Sequence, residues 1–175
     1  PVLDSSTWEY LPDTKINEFH DFILENRPKM ILLISPDNPT SKVLSDKFVT
    51  AALEAAIEIG SFLVIDYAYK EIVFEKAYPK YYSWGPNDNF ISLRSNSKWC
   101  RGLGRRLGWV EAPDYVVESM ESIQNSTILC PDMLHQMAMT SYVKTAINNN
   151  TLLTYIKDVN KQYQTAARQT VASIN

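Results

Sequence analysis

The sequence predicts an α/β protein in which a mostly parallel β-sheet lies between layers of helices. Short apolar runs recur along the first two thirds of the chain, and a segment of helical periodicity separates the first run from the second. Several of these runs end in a polar cluster, and from Pro113 onward the pattern becomes helical. Strand–helix–strand alternation is typical of a parallel sheet whose connecting helices cover its faces.

Four segments have the composition of strands. Residues 29–35 (KMILLIS) and 61–65 (SFLVI) are continuous apolar runs, which predicts strands that are buried on both faces, as in a parallel sheet. Residues 89–94 (NFISLR) and 107–111 (LGWVE) predict a third and a fourth strand.

The helices are predicted from their end signals and from their apolar faces. Ser45 is a suitable N-cap for a helix over residues 46–59, and Gly60 supplies the stop. Phe48, Ala52, Ala56 and Ile59 would form the buried face of this helix. Three further helices are predicted at residues 113–124, 133–148 and 152–175.

Composition and charge exclude several classes of protein. The chain has 175 residues and a formal net charge of -3, so a nucleic acid is not an expected partner. No apolar run approaches the roughly 20 residues that a membrane-spanning helix needs. Cys100 and Cys130 have no metal-binding spacing, which predicts reduced cysteines in a cytoplasmic protein without a metal site.

Three polar clusters follow the first three predicted strands, at residues 38–41, 66–69 and 95–98. In open α/β sheets, ligands bind beyond the carboxyl ends of the strands. We therefore expect the three clusters to meet at one edge of the sheet and to form a ligand site there.

These clusters contain motifs of a known family. They read Asn38-Pro39-Thr40-Ser41, Asp66-Tyr67-Ala68-Tyr69 and Ser95-Asn96-Ser97-Lys98, and Arg106 follows eight residues after Lys98. The four signals, in this order and at these strand ends, resemble those of the class I/II aminotransferases. The resemblance implies part of the large domain of a fold type I enzyme, with pyridoxal 5'-phosphate as its cofactor.

The resemblance assigns a role to each residue around the cofactor ring. Lys98 would form a Schiff base with the cofactor aldehyde and would also move the proton from the substrate Cα. Asp66 would pair with the protonated ring nitrogen, so that the ring can act as an electron sink. Tyr69 and Asn38 would hydrogen-bond the ring oxygen, and Ala68 would lie against the ring.

The cofactor phosphate would be held by a second group of residues. Arg106 would form a bidentate ion pair with it, assisted by the Ser95 hydroxyl, whereas the contact of Ser97 is less defined. Four arginines lie close to Lys98 in the sequence, and their positive field would favour its neutral amine. They are Arg94, Arg101, Arg105 and Arg106.

Three features of the sequence lie outside these assigned roles. Ser41 stands where the family commonly has glycine, which raises the question of whether the turn needs a positive φ. His135 and His20 match no family role and are expected to be surface or helix-packing histidines. The tyrosines Tyr78, Tyr81 and Tyr82 are expected in a partly buried loop or an interface, without a role in chemistry.

The predicted function is an amino-acid aminotransferase that passes an amino group to a 2-oxo acid and works as a homodimer. Residues 1–150 would be part of the cofactor-binding large domain, and residues 151–175 a long helix leading toward a small C-terminal domain outside this chain. Such a partial chain is expected to be inactive by itself. Two alternatives stay open: a lyase or synthase on the same fold, such as a carbon–sulfur lyase, and a non-catalytic effector-binding domain.

Overall fold

The structure is a computed structural model that describes residues 5–6, 11–74, 78–102, 104 and 106–174. A short 3-10 helix, Pro12–Lys15, precedes the first α-helix, and a second one, Lys80–Ser83, lies between the second and third strands. The strands and helices are α1 (Ile16–Asn26), β1 (Met30–Ile34), α2 (Asp46–Ile59), β2 (Phe62–Asp66), β3 (Phe90–Ser95), β4 (Gly108–Glu111), α3 (Asp114–Thr127), α4 (Met133–Asn148) and α5 (Leu152–Ile174).

The four strands form one sheet in the order β1-β2-β3-β4. β1 pairs with β2 and β2 pairs with β3 in parallel, whereas β4 runs antiparallel to β3. All four predicted strands are therefore present, and the prediction of a mostly parallel sheet is confirmed.

Helix α2 has the ends that the sequence predicted. The Ser45 hydroxyl accepts a hydrogen bond from the Phe48 backbone N–H at 3.1 Å, which satisfies one of the free N–H groups at the helix start. Gly60 ends the helix in the left-handed conformation, with φ 68°. The residues between these two caps are those that were assigned to the helix from its end signals.

One face of the sheet is covered by α1 and α2. From α2, Phe48, Ala52 and Ala56 are buried against Leu63 and Ile65 of β2 in the main core. Their small and aromatic side chains let the helix lie close to the sheet, so this face forms a continuous apolar layer.

Helix α1 was not predicted from the sequence. It places Ile23 in the core, with Ile16 packed against it, and it stacks Phe19 on Phe48 with ring centroids 4.9 Å apart. The spacing of Ile16, Phe19 and Ile23 is the three- and four-residue spacing of a helix face, so a signal for α1 was present in the sequence.

The opposite face is covered by α3, which packs Val116 and Val117 against Val64 and Ile91. This helix completes the three-layer α/β arrangement that the sequence predicted. The helical prediction for the last third is also confirmed, with α4 at the predicted residues and α3 extending three residues further than predicted. None of the described helices is long and apolar enough to cross a membrane.

Strand β1 departs from the prediction of burial on both faces. Met30 is 58% exposed and Leu32 is 53% exposed, whereas Ile31 is buried on the α2 side. Leu32 pairs with Val64 and shares its face of the sheet, but α3 packs on β2, β3 and β4. No described helix covers β1 on that face, so its apolar run is buried on one side only.

Candidate functional site

The three polar clusters meet at the carboxyl ends of β1, β2 and β3. Backbone hydrogen bonds from Ser35 N–H to the Asp66 carbonyl, 3.2 Å, and from Tyr67 N–H to the Leu93 carbonyl, 2.8 Å, keep the strand ends level. The loops that follow these strands therefore begin at the same edge of the sheet, as expected from the order of the motifs.

Tyr69 lies close to two of the other predicted side chains. The Asn38 amide nitrogen lies 3.5 Å from the Tyr69 hydroxyl, at the long end of the hydrogen-bond range. The Lys98 Nζ lies 5.1 Å from the centroid of the Tyr69 ring, within the range of a cation–π contact. The structure thus brings Asn38, Tyr69 and Lys98 from three different loops into one neighbourhood.

The loop that carries Asn38 is anchored by Tyr81, which is fully buried. The Tyr81 hydroxyl lies 2.6 Å from the Ser35 hydroxyl and donates to the Leu44 carbonyl at 2.9 Å. The Ser35 hydroxyl accepts from the Leu44 backbone N–H at 3.1 Å, so both ends of the loop are joined. Burial raises the pKa of Tyr81 above its ordinary value. This anchoring role was missed because its partners lie far away in the sequence.

Ser41 adopts the left-handed conformation, with φ 59°. Its backbone N–H donates to the Asp37 carbonyl at 2.8 Å and closes the turn. The turn therefore does require a positive φ, the conformation that a glycine adopts without steric cost. The departure of Ser41 from the family pattern places a side chain at a strained backbone position.

Asp66 ends β2 and is partly buried. One carboxylate oxygen accepts from the Ala68 backbone N–H at 2.8 Å, which directs the chain into the turn that presents Ala68 and Tyr69. In the described part of the chain, no lysine, arginine or histidine nitrogen lies within 4.0 Å of this carboxylate. The cationic partner expected for Asp66 is thus not another described side chain.

Ser95 and Ser97 shape the turn before Lys98. The Ser95 hydroxyl accepts from the Ser97 backbone N–H at 3.1 Å, and Ser97 is buried. Because an accepting hydroxyl keeps its own proton, Ser95 can still donate to a ligand. Lys98 itself is half-buried in the turn that follows.

Arg106 is exposed and has φ 52°. Its neighbour Leu107 accepts a hydrogen bond from the Asn96 backbone N–H at 3.4 Å, so the Arg106 backbone lies beside the Lys98 loop. Among the residues described here, the Arg106 side chain makes no ion pair. Arg105 lies outside the described residues.

Arg94 does not contribute the free positive charge that was expected near Lys98. Its guanidinium lies 2.7 Å from the Glu71 carboxylate and 3.9 Å from that of Glu111. Burial raises the pKa of Glu71, although the charge of Arg94 opposes this. Burial also acts to raise the pKa of Glu111, but hydrogen bonds from Ser92 and Trp109 and the charge of Arg94 lower it overall.

Lys70, directly after Tyr69, is a second half-buried lysine that the sequence did not single out. Its ammonium donates to the Tyr82 carbonyl and lies 4.7 Å from the centroid of the Tyr67 ring. Burial, and then the charge of Arg94, lower the pKa of Lys70. The structure therefore contains two lysines, Lys70 and Lys98, whose amines lie beside this part of the sheet.

The fold is that of an α/β protein with a ligand site at the carboxyl edge of its sheet, and comparison with known proteins identifies the family. The family model described as aminotransferase class I and II matches residues 12–175. The chain therefore belongs to the class I and II aminotransferase family. This membership implies pyridoxal phosphate as the cofactor.

Individual relatives cover most of this chain but only part of their own length. Aspartate aminotransferase of Pyrococcus abyssi is 26% identical over 152 residues, which are 85% of this chain and 37% of the relative. Histidinol-phosphate aminotransferase 2 of Archaeoglobus fulgidus is 33% identical over 104 residues, 59% of this chain and 28% of the relative. The chain thus spans roughly a third of the length of these curated relatives.

Solved structures agree on the fold. Aspartate aminotransferase from Thermus thermophilus with maleate superposes with a TM-score of 0.72 at 21% identity, covering 83% of this chain and 38% of that one. A pyridoxal-phosphate-dependent aminotransferase from Streptococcus suis covers 98% of this chain and 41% of that one, with a TM-score of 0.68 at 19% identity. The predicted fold class is confirmed.

Proposed function

We propose that the protein is a pyridoxal-phosphate-dependent aminotransferase that moves an amino group from an amino acid to a 2-oxo acid, with Lys98 as the residue that bonds to the cofactor. The observation that carries this proposal is the position of the Lys98 amine, 5.1 Å from the Tyr69 ring centroid, at the edge where Asn38 and Asp66 also lie. The curated relatives are named as aminotransferases, which favours amino-group transfer over a lyase reaction.

The residues at this edge fit the chemistry of the cofactor. A partly buried carboxylate needs a cationic partner, and none of the described side chains supplies one to Asp66, so a protonated ring nitrogen would complete its interactions. The Tyr69 hydroxyl and the Asn38 amide nitrogen are both donors suited to an anionic ring oxygen. When bound, the cofactor ring supplies the electron sink that stabilises negative charge at the substrate Cα.

Each residue would then have one task. Lys98 Nζ would take the proton from the substrate Cα and return a proton during transfer, which requires its neutral form. Ala68 would leave room for the ring because its side chain is small. Ser95 would donate its hydroxyl proton to the phosphate and Arg106 would neutralise the phosphate charge, while Ser97 would support the turn between them.

We propose an amino acid as the amino donor and a 2-oxo acid as the acceptor, and we do not assign a particular amino acid or 2-oxo acid. The curated relatives carry the names of aspartate, valine–pyruvate and histidinol-phosphate aminotransferases, so their names point to different substrates.

For the domain organisation we propose that residues 1–150 belong to the cofactor-binding large domain and that residues 151–175 lead toward a small C-terminal domain. Both cysteines are free, which supports a cytoplasmic location.

The proposal includes a homodimer, which is supported by an apolar surface around the α3–α4 connection. Six large apolar side chains in this region are more than 60% exposed, namely Ile123, Ile128, Leu129, Met133, Leu134 and Met137. Large exposed apolar patches on a protein mark sites of interaction. Sedimentation of the full-length protein should show a dimer that the double substitution Leu134→Glu and Met137→Glu dissociates, whereas a wild-type monomer contradicts this part of the proposal.

The central test is where the cofactor attaches. Pyridoxal phosphate added to the full-length protein, followed by borohydride reduction and peptide mapping, should place the adduct on Lys98. Lys70 is the sharpest rival, because it is half-buried, lies close by in the chain and has a lowered pKa. Lys98→Ala should abolish the adduct and amino-group transfer, and Lys70→Ala should keep both. An adduct on Lys70 would refute the assignment.

A further inference from the structure

Asn96, the second residue of the Ser95–Lys98 motif, is fully buried and reaches a distant helix. Its amide nitrogen lies 2.9 Å from the His135 Nε2 of α4, which is 39 residues further along the chain. An amide nitrogen only donates, so the His135 Nε2 is the acceptor of this hydrogen bond. The other end of the amide, Asn96 Oδ1, is buried and has no hydrogen-bond partner in the described part of the chain.

The backbone of Asn96 holds the turn that carries Lys98. Its carbonyl accepts from the backbone N–H groups of Cys100 and Gly102, each at 3.3 Å, so the turn closes around Lys98. The packing at this point is tight, because a Cβ added to Gly102 would lie 3.0 Å from Asn96 Oδ1. A shift of the Asn96 side chain would therefore be transmitted to both ends of the Lys98 turn.

Helix α4 is placed to act as the support for this turn. The Asp132 carboxylate caps the helix by accepting from the His135 backbone N–H at 3.2 Å. One turn further along α4, the Met139 sulfur lies 3.8 Å from the Cys100 sulfur. His135 and Met139 are four residues apart, so one face of α4 contacts the Lys98 turn at two points.

We propose that Asn96 and His135 are positioning residues, whose hydrogen bond fixes the Lys98 turn against α4 and thereby sets the place of the Lys98 amine over Tyr69. The inference rests on the proposed role of Lys98 as the cofactor-bearing residue. It extends that role to two further parts of the chain. Asn96, a buried side chain within the motif, and α4, a helix outside the site, would together control where the Lys98 amine lies. The contact with Asn96 fits the helix-packing role that the sequence predicted for His135. The positioning of the Lys98 turn is the role that this inference adds.

The test compares substitutions of His135 in the full-length protein. His135→Leu removes the acceptor and leaves the buried amide unpaired, which should weaken pyridoxal phosphate binding about tenfold. His135→Gln, which can still accept from the Asn96 amide, should restore most of the affinity. Gln136→Leu is the matched control, because the Gln136 side chain donates to the Pro131 carbonyl just before its own helix and not to the Lys98 turn. Affinity is measured by titration, and the visible circular dichroism of the bound cofactor reports its orientation.

The outcomes separate this inference from the proposed function. If the wild-type adduct maps to a lysine other than Lys98, the proposed function fails, and this inference fails with it. If the adduct is on Lys98, but His135→Leu and Gln136→Leu give equal affinities and equal dichroism, the inference alone is overturned. Should His135→Leu not fold, Asn96→Leu combined with His135→Leu removes both polar partners and takes its place. Wild-type affinity in that double variant would also overturn the inference.

Discussion

Replacement of Tyr81 by phenylalanine tests whether a buried hydroxyl holds the Asn38 loop. The substitution keeps the aromatic ring, which is stacked on Tyr67 with ring centroids 6.3 Å apart, so it creates no cavity beyond one oxygen atom. It removes the hydrogen bonds to the Ser35 hydroxyl, 2.6 Å, and the Leu44 carbonyl, 2.9 Å. Each such bond contributes about 1 kcal/mol net, so the free energy of unfolding should fall by about 2 kcal/mol.

The measurement is urea unfolding followed by far-ultraviolet circular dichroism. Tyr115→Phe is the matched control, because its hydroxyl donates to the Asp88 carbonyl at 3.2 Å on the protein surface and its loss should cost less than about 0.5 kcal/mol. In the full-length protein, Tyr81→Phe should also weaken pyridoxal phosphate binding, because the loop with Asn38 loses the two hydrogen bonds by which the Tyr81 hydroxyl holds its ends. Equal unfolding energies for the two variants would refute the anchoring role.

A double-mutant cycle tests whether the stability lost in Tyr81→Phe comes from the hydrogen bond between the Tyr81 and Ser35 hydroxyls. Ser35→Ala removes the same hydrogen bond from its other side, together with the bond from the Leu44 backbone N–H. Combined with Tyr81→Phe, it should therefore destabilise the protein by less than the sum of the two single changes, with a coupling energy above about 0.5 kcal/mol. Strict additivity would show that the two hydroxyls act independently.

Three further changes have defined outcomes. Ser41→Gly should raise the free energy of unfolding by up to about 1 kcal/mol, because Ser41 has a left-handed φ of 59°; a lower unfolding midpoint in urea would contradict this. The pKa of Glu111 is lowered in the folded protein, so its contribution to stability is present above the unfolded pKa of 4.5 and is lost as the pH falls through the lower folded pKa. In Glu111→Gln the free energy of unfolding, measured at a series of pH values, should therefore fall less steeply in acid. Asp66→Asn should keep the fold but slow amino-group transfer by orders of magnitude, and near-normal turnover would exclude its role at the ring nitrogen.

The parts of the fold that were predictable depend on signals local in the sequence. Helix α2 has a capping serine, an apolar face and a terminal glycine within sixteen residues, so its limits could be predicted from those residues alone. The exposure of Leu32 could not, because it depends on where α3 packs on the sheet, a matter of tertiary structure. The periodicity of a segment indicates which side chains are suited to burial, but the elements that pack against the segment determine which of them are buried.

The candidate site divides in the same way. The order of the motifs and the parallel sheet were enough to expect Asn38, Tyr69 and Lys98 at one edge. The supports of these residues were not predictable, because the Tyr81 hydroxyl bonds to Ser35, 46 residues earlier, and Asn96 bonds to His135, 39 residues later. No sequence pattern links the two residues of either pair, because each hydrogen bond forms only when distant segments of the chain have packed together.

The exposed face of β1, which carries Leu32, can be used to test whether further protein packs against this part of the sheet. Leu32 is 53% exposed here, so Leu32→Lys should be nearly neutral for the chain of 175 residues taken alone. In a molecule where further protein covers this face, the same lysine would be forced into an apolar contact and would destabilise it by several kcal/mol. A single surface substitution, measured in the short chain and in the full-length protein, therefore shows whether further protein covers this face of β1.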